Sequence, residues 1–308
     1  MHKTIHLQEI FFSVLTKHTP AVPGITVLLL SGCLLSGCGT PAPQTRQEAV
    51  PVRAVQSRTE LTDAAADMLM QTESALTVSV PPALYAAAAD CIPAARNRSV
   101  LCGTMLDTLS WERRGRYLTV NAVYTEAPET VREKKRRLSA YASEWAKTVA
   151  ANPPAVRVLL AHELLCTGCA YSETAPDCAS AYGALIGSAA RCAGYAEGFA
   201  LLTEAAEVPV RIITGTVKDG AHAWNLVQLD GAWYHADCTW DSTAADRHAY
   251  FLRDDRFMMQ THTWDRDAYP AAAGGVLRCE TIVQQMRDAV IPFSADKTGR
   301  RASVSGSH

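Results

Sequence analysis

The stretch from Arg191 to Asp241 constrains the fold most strongly, because one helical pattern is followed there by three strand patterns. Val208-Pro209 ends the helix, since proline cannot continue it, and VRIITGTV then alternates like a strand. Two further strand patterns, AHAWNLVQL and AWYHADCTW, flank Asp230-Gly231, a dipeptide typical of a two-residue hairpin turn. The sequence therefore predicts a helix beside an antiparallel hairpin.

The two-residue turn determines which hairpin side chains share a face of the sheet. It pairs Leu229 with Ala232, and directly paired residues point the same way. A one-residue change in the loop would reverse this parity. His222 becomes a diagonal neighbour of Asp237, with Cβ atoms roughly 5 to 8 Å apart. The face is predicted to carry His222, Trp224, His235, Asp237 and Thr239.

Cys192 is expected in the first turn of the helix that precedes the hairpin, since Ala193 to Ala206 is a good helical run. Unpaired N–H groups and the helix dipole favour an anion at this position, which lowers the pKa of a thiol. The same N–H groups can stabilise an oxyanion. Tyr195, Phe199 and Leu202 follow Cys192 at helical spacing, so we expect them to pack on the hairpin.

Three motifs in this stretch resemble the transglutaminase-like superfamily of papain-like cysteine enzymes. They are Cys192-Ala193-Gly194-Tyr195-Ala196, His222-Ala223-Trp224-Asn225, and His235-Ala236-Asp237-Cys238-Thr239-Trp240-Asp241. The resemblance implies an α+β fold with a papain-like core, in which the catalytic helix packs on an antiparallel sheet. It also implies that Cys192 is the nucleophile, His222 the base and Asp237 the residue that orients the base. Supporting or substrate-binding roles are expected for Tyr195, Trp224, Asn225 and Trp240. The resemblance covers about half the chain well and the part before Asn152 only loosely.

Other interpretations compete with these roles. A cysteine in an apolar helix is often a small buried hydrophobic residue, and His235 is a rival base because it shares the sheet face with Asp237. His162 lies in a predicted helix from Ala155 to Cys166. The resemblance implies that this helix and the following Tyr171 pack behind the site, so His162 is expected to be a core residue.

Residues 1–38 are predicted to be a lipoprotein-type signal peptide. Lys3 and Lys17 precede the apolar run GITVLLLSGCLLSG, which is too short for a comfortable membrane span. Both Leu30-Ser31-Gly32-Cys33 and Leu35-Ser36-Gly37-Cys38 resemble a lipobox, and Cys38 is preferred over Cys33 as the lipidated residue. An ordinary secretory signal is the alternative. The proline-rich residues 39–56 are then expected to be a flexible tether.

The rest of the chain divides into three predicted parts. Residues 57–151 form a small α+β module, residues 152–293 the catalytic domain, and residues 294–308 a disordered tail. Expected elements are helices over 59–72, 84–91, 130–151 and 282–290, and strands over 76–80, 117–124 and 248–252. The basic run from Arg132 to Arg137 is interpreted as a solvated helix face. Residues 258–264 are expected to form one wall of the cleft.

Ten cysteines are present. Cys192 must stay reduced to act, and Cys238 is expected to be a buried thiol on the face opposite Asp237. An even set of six remains besides the signal cysteines, and disulfides are possible among them in an exported protein. Cys166-Thr167-Gly168-Cys169 fits neither a zinc site nor a thioredoxin-like motif, because no second pair exists and the motif follows a helix. The six are Cys91, Cys102, Cys166, Cys169, Cys178 and Cys279.

We therefore expect an exported, lipid-anchored enzyme, periplasmic or at the cell surface, that transfers acyl groups from amides. Hydrolysis of peptides or cell-wall peptides is the first hypothesis. Protein crosslinking by transamidation is the second, and a non-catalytic binding module on the same fold is the third. No cofactor or metal is expected, since no calcium-loop motif is present. The net charge of −2 gives no basic surface for nucleic acid.

Overall fold

The computed structural model describes residues 52–274 and residues 277, 281, 282 and 284. The described residues belong to one compact unit, and its helices and sheets confirm the predicted α+β class. The predicted signal peptide, both lipobox cysteines, the tail and most of the last helix lie outside the described residues. No helix in the described part is both long enough and apolar enough to span a membrane.

The amino-terminal part of the described chain is a four-stranded sheet with helices packed on one face. Strand order is β1-β2-β4-β3, with β1 parallel to β2 and the other pairs antiparallel. Its core includes Leu61, Leu69, Val78 and Val120, all fully buried. The elements are β1 (Arg53–Ala54), α1 (Arg58–Met70), β2 (Ala75–Ser79), α2 (Ala88–Ala94), α3 (Val100–Gly103), β3 (Leu106–Arg114), β4 (Tyr117–Tyr124) and α4 (Pro128–Val149).

Three details of this part differ from the prediction. Part of the predicted tether is folded, because Arg53–Ala54 pairs with β2 and Val55 is fully buried. The helix predicted over 84–91 is a 3-10 turn at Pro82–Leu84 followed by α2. The strand β3 was not predicted, since its side chains are mostly exposed and show no apolar alternation.

The carboxy-terminal part is built around a five-stranded antiparallel sheet of order β10-β9-β8-β7-β11. A short parallel pair, β5 with β6, lies just before the helix that carries Cys192. The elements are α5 (Pro154–Gly168), β5 (Ala170–Tyr171), α6 (Ala181–Leu185), β6 (Ala189–Ala190), α7 (Cys192–Ala205), β7 (Val210–Val217), β8 (Gly220–Leu229), β9 (Ala232–Ala236), α8 (Cys238–Thr243), β10 (Phe251–Arg253), α9 (Asp255–Met258) and β11 (Thr263–Trp264). The domain boundary near residue 152 stays a prediction.

The β8–β9 hairpin has the predicted register, with Leu229 paired with Ala232. Strand β9 ends earlier than predicted, however, at Ala236. Asp237 caps α8 instead, because its side chain accepts hydrogen bonds from the backbone N–H groups of Thr239 and Trp240. The two-residue loop would also pair Trp224 with Asp237 and His222 with Thr239 if both strands continued. The pairing ends at Asn225 and Ala236 instead, and a strand-to-helix turn follows.

Helix α7 is held against both the sheet and the amino-terminal part. Its apolar stripe is buried as predicted, since Tyr195, Phe199 and Leu202 are fully inaccessible. On the sheet side, the Asn225 amide donates to the carbonyl of Ala196 at 3.0 Å. On the opposite side, the half-buried Glu197 accepts from the Thr104 hydroxyl at 2.6 Å. The position of the first turn of α7 is thus fixed from two sides.

Candidate functional site

Cys192 is the first residue of α7 and remains half-buried rather than enclosed. The preceding residue, Arg191, adopts an extended conformation and makes no side-chain cap to the helix. The first N–H groups of the helix therefore have no side-chain acceptor at Arg191, and intrahelical bonds cannot reach them. This arrangement favours a negative charge on the Cys192 sulfur and on any oxygen bound beside it.

The surroundings of the thiol favour its ionised form. Burial opposes the thiolate, but the hydrogen bond to His222 and the backbone N–H groups of Ala223 and Ala193 outweigh it. The pKa of Cys192 is therefore lowered from its usual value. A lowered pKa on a half-buried thiol is typical of a nucleophilic cysteine.

His222 lies on β8, the middle strand of the five-stranded sheet, and the residue is 7% exposed. Its Nε2 atom lies 2.8 Å from Oδ2 of Asp237, so that Nδ1 is the ring nitrogen not engaged by Asp237. Burial lowers the pKa of His222, but the hydrogen bonds to Asp237 and Cys192 raise it to about 9. The imidazole is therefore placed to hold a proton next to the Cys192 thiolate.

Asp237 is fully buried, and hydrogen bonds reach both of its oxygens. Oδ1 accepts the N–H groups of Thr239 and Trp240 at 3.0 and 3.2 Å. Burial raises the pKa of Asp237, but the hydrogen bonds from His222 and His262 lower it by a larger amount, so the net shift is downward. The carboxylate is thus stabilised in its ionised form and can orient His222.

A second histidine on Asp237 was missed at the level of sequence. His262 Nε2 lies 3.1 Å from the same Oδ2 atom, and the residue is 2% exposed. Only the general expectation that residues 258–264 form a wall pointed to it. His262 directly precedes β11, a two-residue strand that pairs with the edge of β7 and leaves almost no pattern in the sequence.

His235 was the rival base, and the structure places it away from the thiol. Its Nε2 lies 2.8 Å from Asp255, and its Nδ1 accepts the indole N–H of Trp224 at 2.9 Å. Burial lowers the pKa of His235. Both ring nitrogens are therefore engaged with groups other than Cys192, and a structural role fits this histidine.

The four residues with expected supporting roles occupy different places. The Trp224 ring stacks beside His222 with centroids 5.8 Å apart, and Trp240 lies 5.9 Å from His222. Asn225 joins β8 to α7, whereas the Tyr195 hydroxyl donates to the Cys169 carbonyl inside the core. The two tryptophans thus adjoin the imidazole, and the other two residues support the framework.

Tyr171 does not pack behind the site as expected. It is 47% exposed on β5, where it pairs with Ala190, two residues before Cys192. Its hydroxyl donates to Glu173 at 3.0 Å. Burial and the bond to Glu173 raise the pKa of Tyr171, with a smaller contribution from the negative charge of Cys192. Tyr171 is therefore an exposed residue of β5 and not part of the core behind the site.

A second set of Cys, His and Asp residues lies in the core behind α8. His162 Nε2 is 2.9 Å from Asp241 Oδ2, and the Cys166 sulfur is 3.5 Å from His162 Nε2. Contact with the Cys238 thiol is the main cause that lowers the pKa of Cys166 to about 6. Cys166 is only 5% exposed, however, and sits in the last turns of α5. Of Cys166 and Cys192, Cys192 is therefore the thiol that a substrate can reach.

His162 is a fully buried residue, as expected, and its partners make it an ion-pair residue. Burial lowers the pKa of His162, but Cys166 and Asp241 raise it well above the usual value. Burial raises the pKa of Asp241, with the bond from His162 opposing this shift. The pair fastens α5 to α8, next to Asp237.

The described cysteines all carry free thiols, so none of the disulfides considered from sequence is present among them. Cys91 and Cys102 lie in the amino-terminal core, whereas Cys166 and Cys169 lie in the core around α7. Cys238 is a buried thiol, as predicted, and Cys279 lies outside the described residues. The free set is Cys91, Cys102, Cys166, Cys169, Cys178, Cys192 and Cys238.

Three buried or half-buried groups have the composition that could hold a metal ion. In each, hydrogen bonds or ion pairs inside the group already occupy ligand atoms, and an ion would have to replace them. We assign no metal to them. The groups are His162 with Cys166 and Cys238, His162 with Glu163 and His248, and His222 with Asp237 and His262.

Residues 124–238 match the family model of the transglutaminase-like superfamily. This range contains Cys192, His222 and Asp237, and it begins within β4. A search of curated proteins found no match to the chain.

Several solved structures are distantly similar. A TGase shares 12% identity at a TM-score of 0.32, with 67% of this chain and 60% of that chain covered. The periplasmic domain of TgpA from Pseudomonas aeruginosa, bound to ethylmercury, shares 23% identity at a TM-score of 0.27, with coverages of 42% and 57%. A Cytophaga hutchinsonii protein described as a candidate cysteine protease shares 15% identity at a TM-score of 0.29, with 43% of this chain and 61% of that chain covered. The chain thus spans about three fifths of their lengths. We assign no residue role and no activity from these distant likenesses.

Proposed function

Because residues 124–238 form a transglutaminase-like core, we propose that this chain is a cysteine enzyme that transfers acyl groups from amide bonds. In this proposal Cys192 is the nucleophile, His222 the general base and acid, and Asp237 the residue that orients His222. The supporting observation is the 2.8 Å hydrogen bond from His222 Nε2 to the buried Asp237, together with the mutual influence of His222 and the Cys192 thiol, which lowers the pKa of the thiol and raises that of the imidazole.

The reaction follows from the charges at the site. The Cys192 thiolate attacks the amide carbonyl carbon, and a carbon–sulfur bond forms while the carbonyl oxygen becomes an oxyanion. The His222 imidazolium then gives its proton to the leaving amine, the carbon–nitrogen bond breaks, and a thioester remains on Cys192. Asp237 keeps the ring in the orientation that directs one nitrogen to the thiol.

The amino-terminal turn of α7 stabilises the oxyanion in this proposal. The Cys192 N–H group and its neighbours are the first donors of the helix, and the Arg191 side chain does not cap them. Donors fixed before the reaction stabilise developing charge more than mobile water does.

Water completes the cycle by hydrolysis. Neutral His222 takes a proton from water, the resulting hydroxide attacks the thioester carbonyl, and the acid product leaves as the Cys192 thiolate is restored. Peptides or cell-wall peptides are the proposed substrates, with the chain exported and held at the outer face of the cytoplasmic membrane by a lipid on Cys38, or on Cys33. The peptide substrate and the lipid anchor are the partners of the proposal, and no nucleic acid is included.

The test compares the full chain with the Cys192→Ala variant on a synthetic peptide library, with and without a fluorescent primary alkylamine. Hydrolysis predicts new peptide ends from the unmodified protein alone, detected by mass spectrometry. Amine-labelled glutamine side chains instead would support crosslinking. Cleavage that persists equally in Cys192→Ala would contradict the proposal, as would its loss in Cys166→Ala, because Cys166 is enclosed in the core.

Absence of any reaction on peptides, together with an ordinary thiol pKa at Cys192, would support a non-catalytic binding module. The pKa measurement is independent of the substrate. It therefore separates a wrong choice of peptide from a wrong choice of nucleophile.

A further inference from the structure

His262 contacts the oxygen of Asp237 that His222 uses. The two Nε2 atoms lie 2.8 Å (His222) and 3.1 Å (His262) from Oδ2. Ring centroids of the two histidines are 5.5 Å apart. His262 contacts Asp237. Among the described residues, the groups that act on the Cys192 thiol do not include His262. Any effect on the thiol therefore passes through Asp237.

The neighbouring threonine sets the proton position on His262. Thr261 Oγ1 lies 2.8 Å from Nδ1 of His262. When the hydroxyl donates to Nδ1, the ring proton sits on Nε2 and points to the Asp237 carboxylate. Thr261 and Asp237 together thus engage both ring nitrogens of His262.

Rigid surroundings hold the His262 ring in this orientation. Its backbone N–H donates to the Met258 carbonyl at 2.8 Å. The rings of Trp240 and Trp224 lie 4.6 and 4.9 Å away. The titratable groups that face His262 are Asp237, His222, Tyr250 and, at longer range, His235. An orientation fixed by packing is what a group needs in order to fix another group.

Asp237 needs an anchor on Oδ2. The backbone N–H groups of α8 hold Oδ1, but rotation about the bond to the carboxyl group of an aspartate is soft. The N–H of His262 opposes this rotation, because it binds the second oxygen from a direction different from that of His222. Oδ2 is then kept in line with His222 Nε2.

We propose that His262 is a positioning residue of the reaction: through its hydrogen bond to Oδ2, it holds Asp237 in the orientation that aligns His222 with the Cys192 thiol. This inference rests on the proposed function. His262 itself touches no reacting atom, and it acts only through Asp237.

A purely structural His262 makes a different prediction. Filling the same space with leucine would then preserve the reactivity of Cys192 in every molecule that remains folded. A positioning role requires a donor at this place, so His262→Gln should retain what His262→Leu loses. The gain from a hydrogen bond to a charged group corresponds to about tenfold or more in an equilibrium.

The experiment measures iodoacetamide alkylation of the Cys192 peptide in the full chain from pH 4 to 9. We expect His262→Leu to shift the ascending limb to higher pH and to slow the reaction at neutral pH by about tenfold. His262→Gln should lie near the unmodified protein. Thr261→Val should give a smaller change in the same direction as His262→Leu. It removes the hydroxyl that favours the proton on Nε2 of His262, but it keeps the His262 ring beside Asp237.

Ile213→Ala is the matched control. Ile213 is fully buried in the apolar cluster that contains Trp224 and Met258, and its side chain has no group that could hydrogen-bond Asp237. It should lower the melting temperature and leave the pH profile unchanged. A His262→Leu profile equal to that of the unmodified protein, or a His262→Gln profile as poor as that of His262→Leu, would overturn the inference. An ordinary thiol profile in the unmodified protein would instead overturn the proposed function.

Discussion

The imidazole of His222 and the carboxylate of Asp237 are joined by a bond of 2.8 Å from Nε2 to Oδ2, although one residue lies on a strand and the other caps a helix. The strand places His222 beside the first turn of α7, and the cap directs Asp237 towards it. The geometry of the site therefore depends on where β9 turns into α8.

Asp237→Asn tests this relationship. Asparagine can still accept the N–H groups of Thr239 and Trp240 through its side-chain oxygen, so the helix cap should survive. The negative charge that raises the pKa of His222 is lost, and the ring orientation is no longer fixed. We expect the alkylation rate of Cys192 at pH 7 to fall by about tenfold, towards that of an ordinary thiol with a pKa of about 8.5, with a melting temperature close to that of the unmodified protein.

The control for that variant is Asp255→Asn, which removes the charge next to His235 instead. His235 does not contact the thiol, so the alkylation rate should stay within about twofold. Equal rates for the unmodified protein and Asp237→Asn would contradict the role of Asp237.

Gly194 is predicted to be intolerant of any side chain. A Cβ atom there would lie 2.5 Å from the Cys178 carbonyl oxygen and 2.8 Å from the Ala190 Cβ. Backbone would have to shift in the first turn of α7, two residues after the nucleophile. Gly194→Ala should therefore lower the melting temperature and slow Cys192 alkylation.

Gly168→Ala is its counterpart at the end of α5, where a Cβ meets nothing within 4 Å. Alanine loses less conformational entropy than glycine in a helix, so this variant should be neutral or slightly more stable. A Gly194→Ala protein with the melting temperature and alkylation rate of Gly168→Ala would show that the close contacts are not limiting.

His162→Ala is expected to destabilise the fold without changing the chemistry of the thiol. It leaves Asp241 buried without the partner that lies 2.9 Å away. Removing one member of a buried ion pair typically costs about 3–5 kcal/mol. Urea unfolding at pH 7 measures the change, and a loss below about 1 kcal/mol would contradict the ion-pair assignment. Alkylation of Cys192 in the folded fraction should keep its pH profile.

Much of the site was predictable because it depends on local patterns. The Asp230-Gly231 turn determines the register of β8 and β9, and the pairing of Leu229 with Ala232 follows from loop length alone. The helical stripe through Tyr195 and Phe199 predicted which face of α7 is buried. The placement of Cys192 at the start of α7 follows from the same helical run.

What could not be predicted depends on contacts distant in sequence. Strand β9 stops at Ala236 because Asp237 satisfies the N–H groups of α8, and alternation alone does not reveal this competition. His262 reaches Asp237 only because the short β11 pairs with β7. The contact of Cys166 with His162 and Cys238 requires α5 to pack behind α8, which no pattern in either segment indicates.

The most direct test of the central claim is the pH dependence of Cys192 alkylation, followed on the Cys192 peptide by mass spectrometry with His222→Ala beside it. The pKa of Cys192 is lowered and that of His222 is raised to about 9. A thiolate–imidazolium pair should therefore exist at pH values above the pKa of Cys192 and below that of His222. This ion pair predicts fast alkylation already well below pH 8 and a second change in the alkylation rate near pH 9, where His222 loses its proton. It also predicts a single ordinary thiol profile in His222→Ala. A single inflection near the usual thiol pKa of about 8.5, unchanged in His222→Ala, would contradict it.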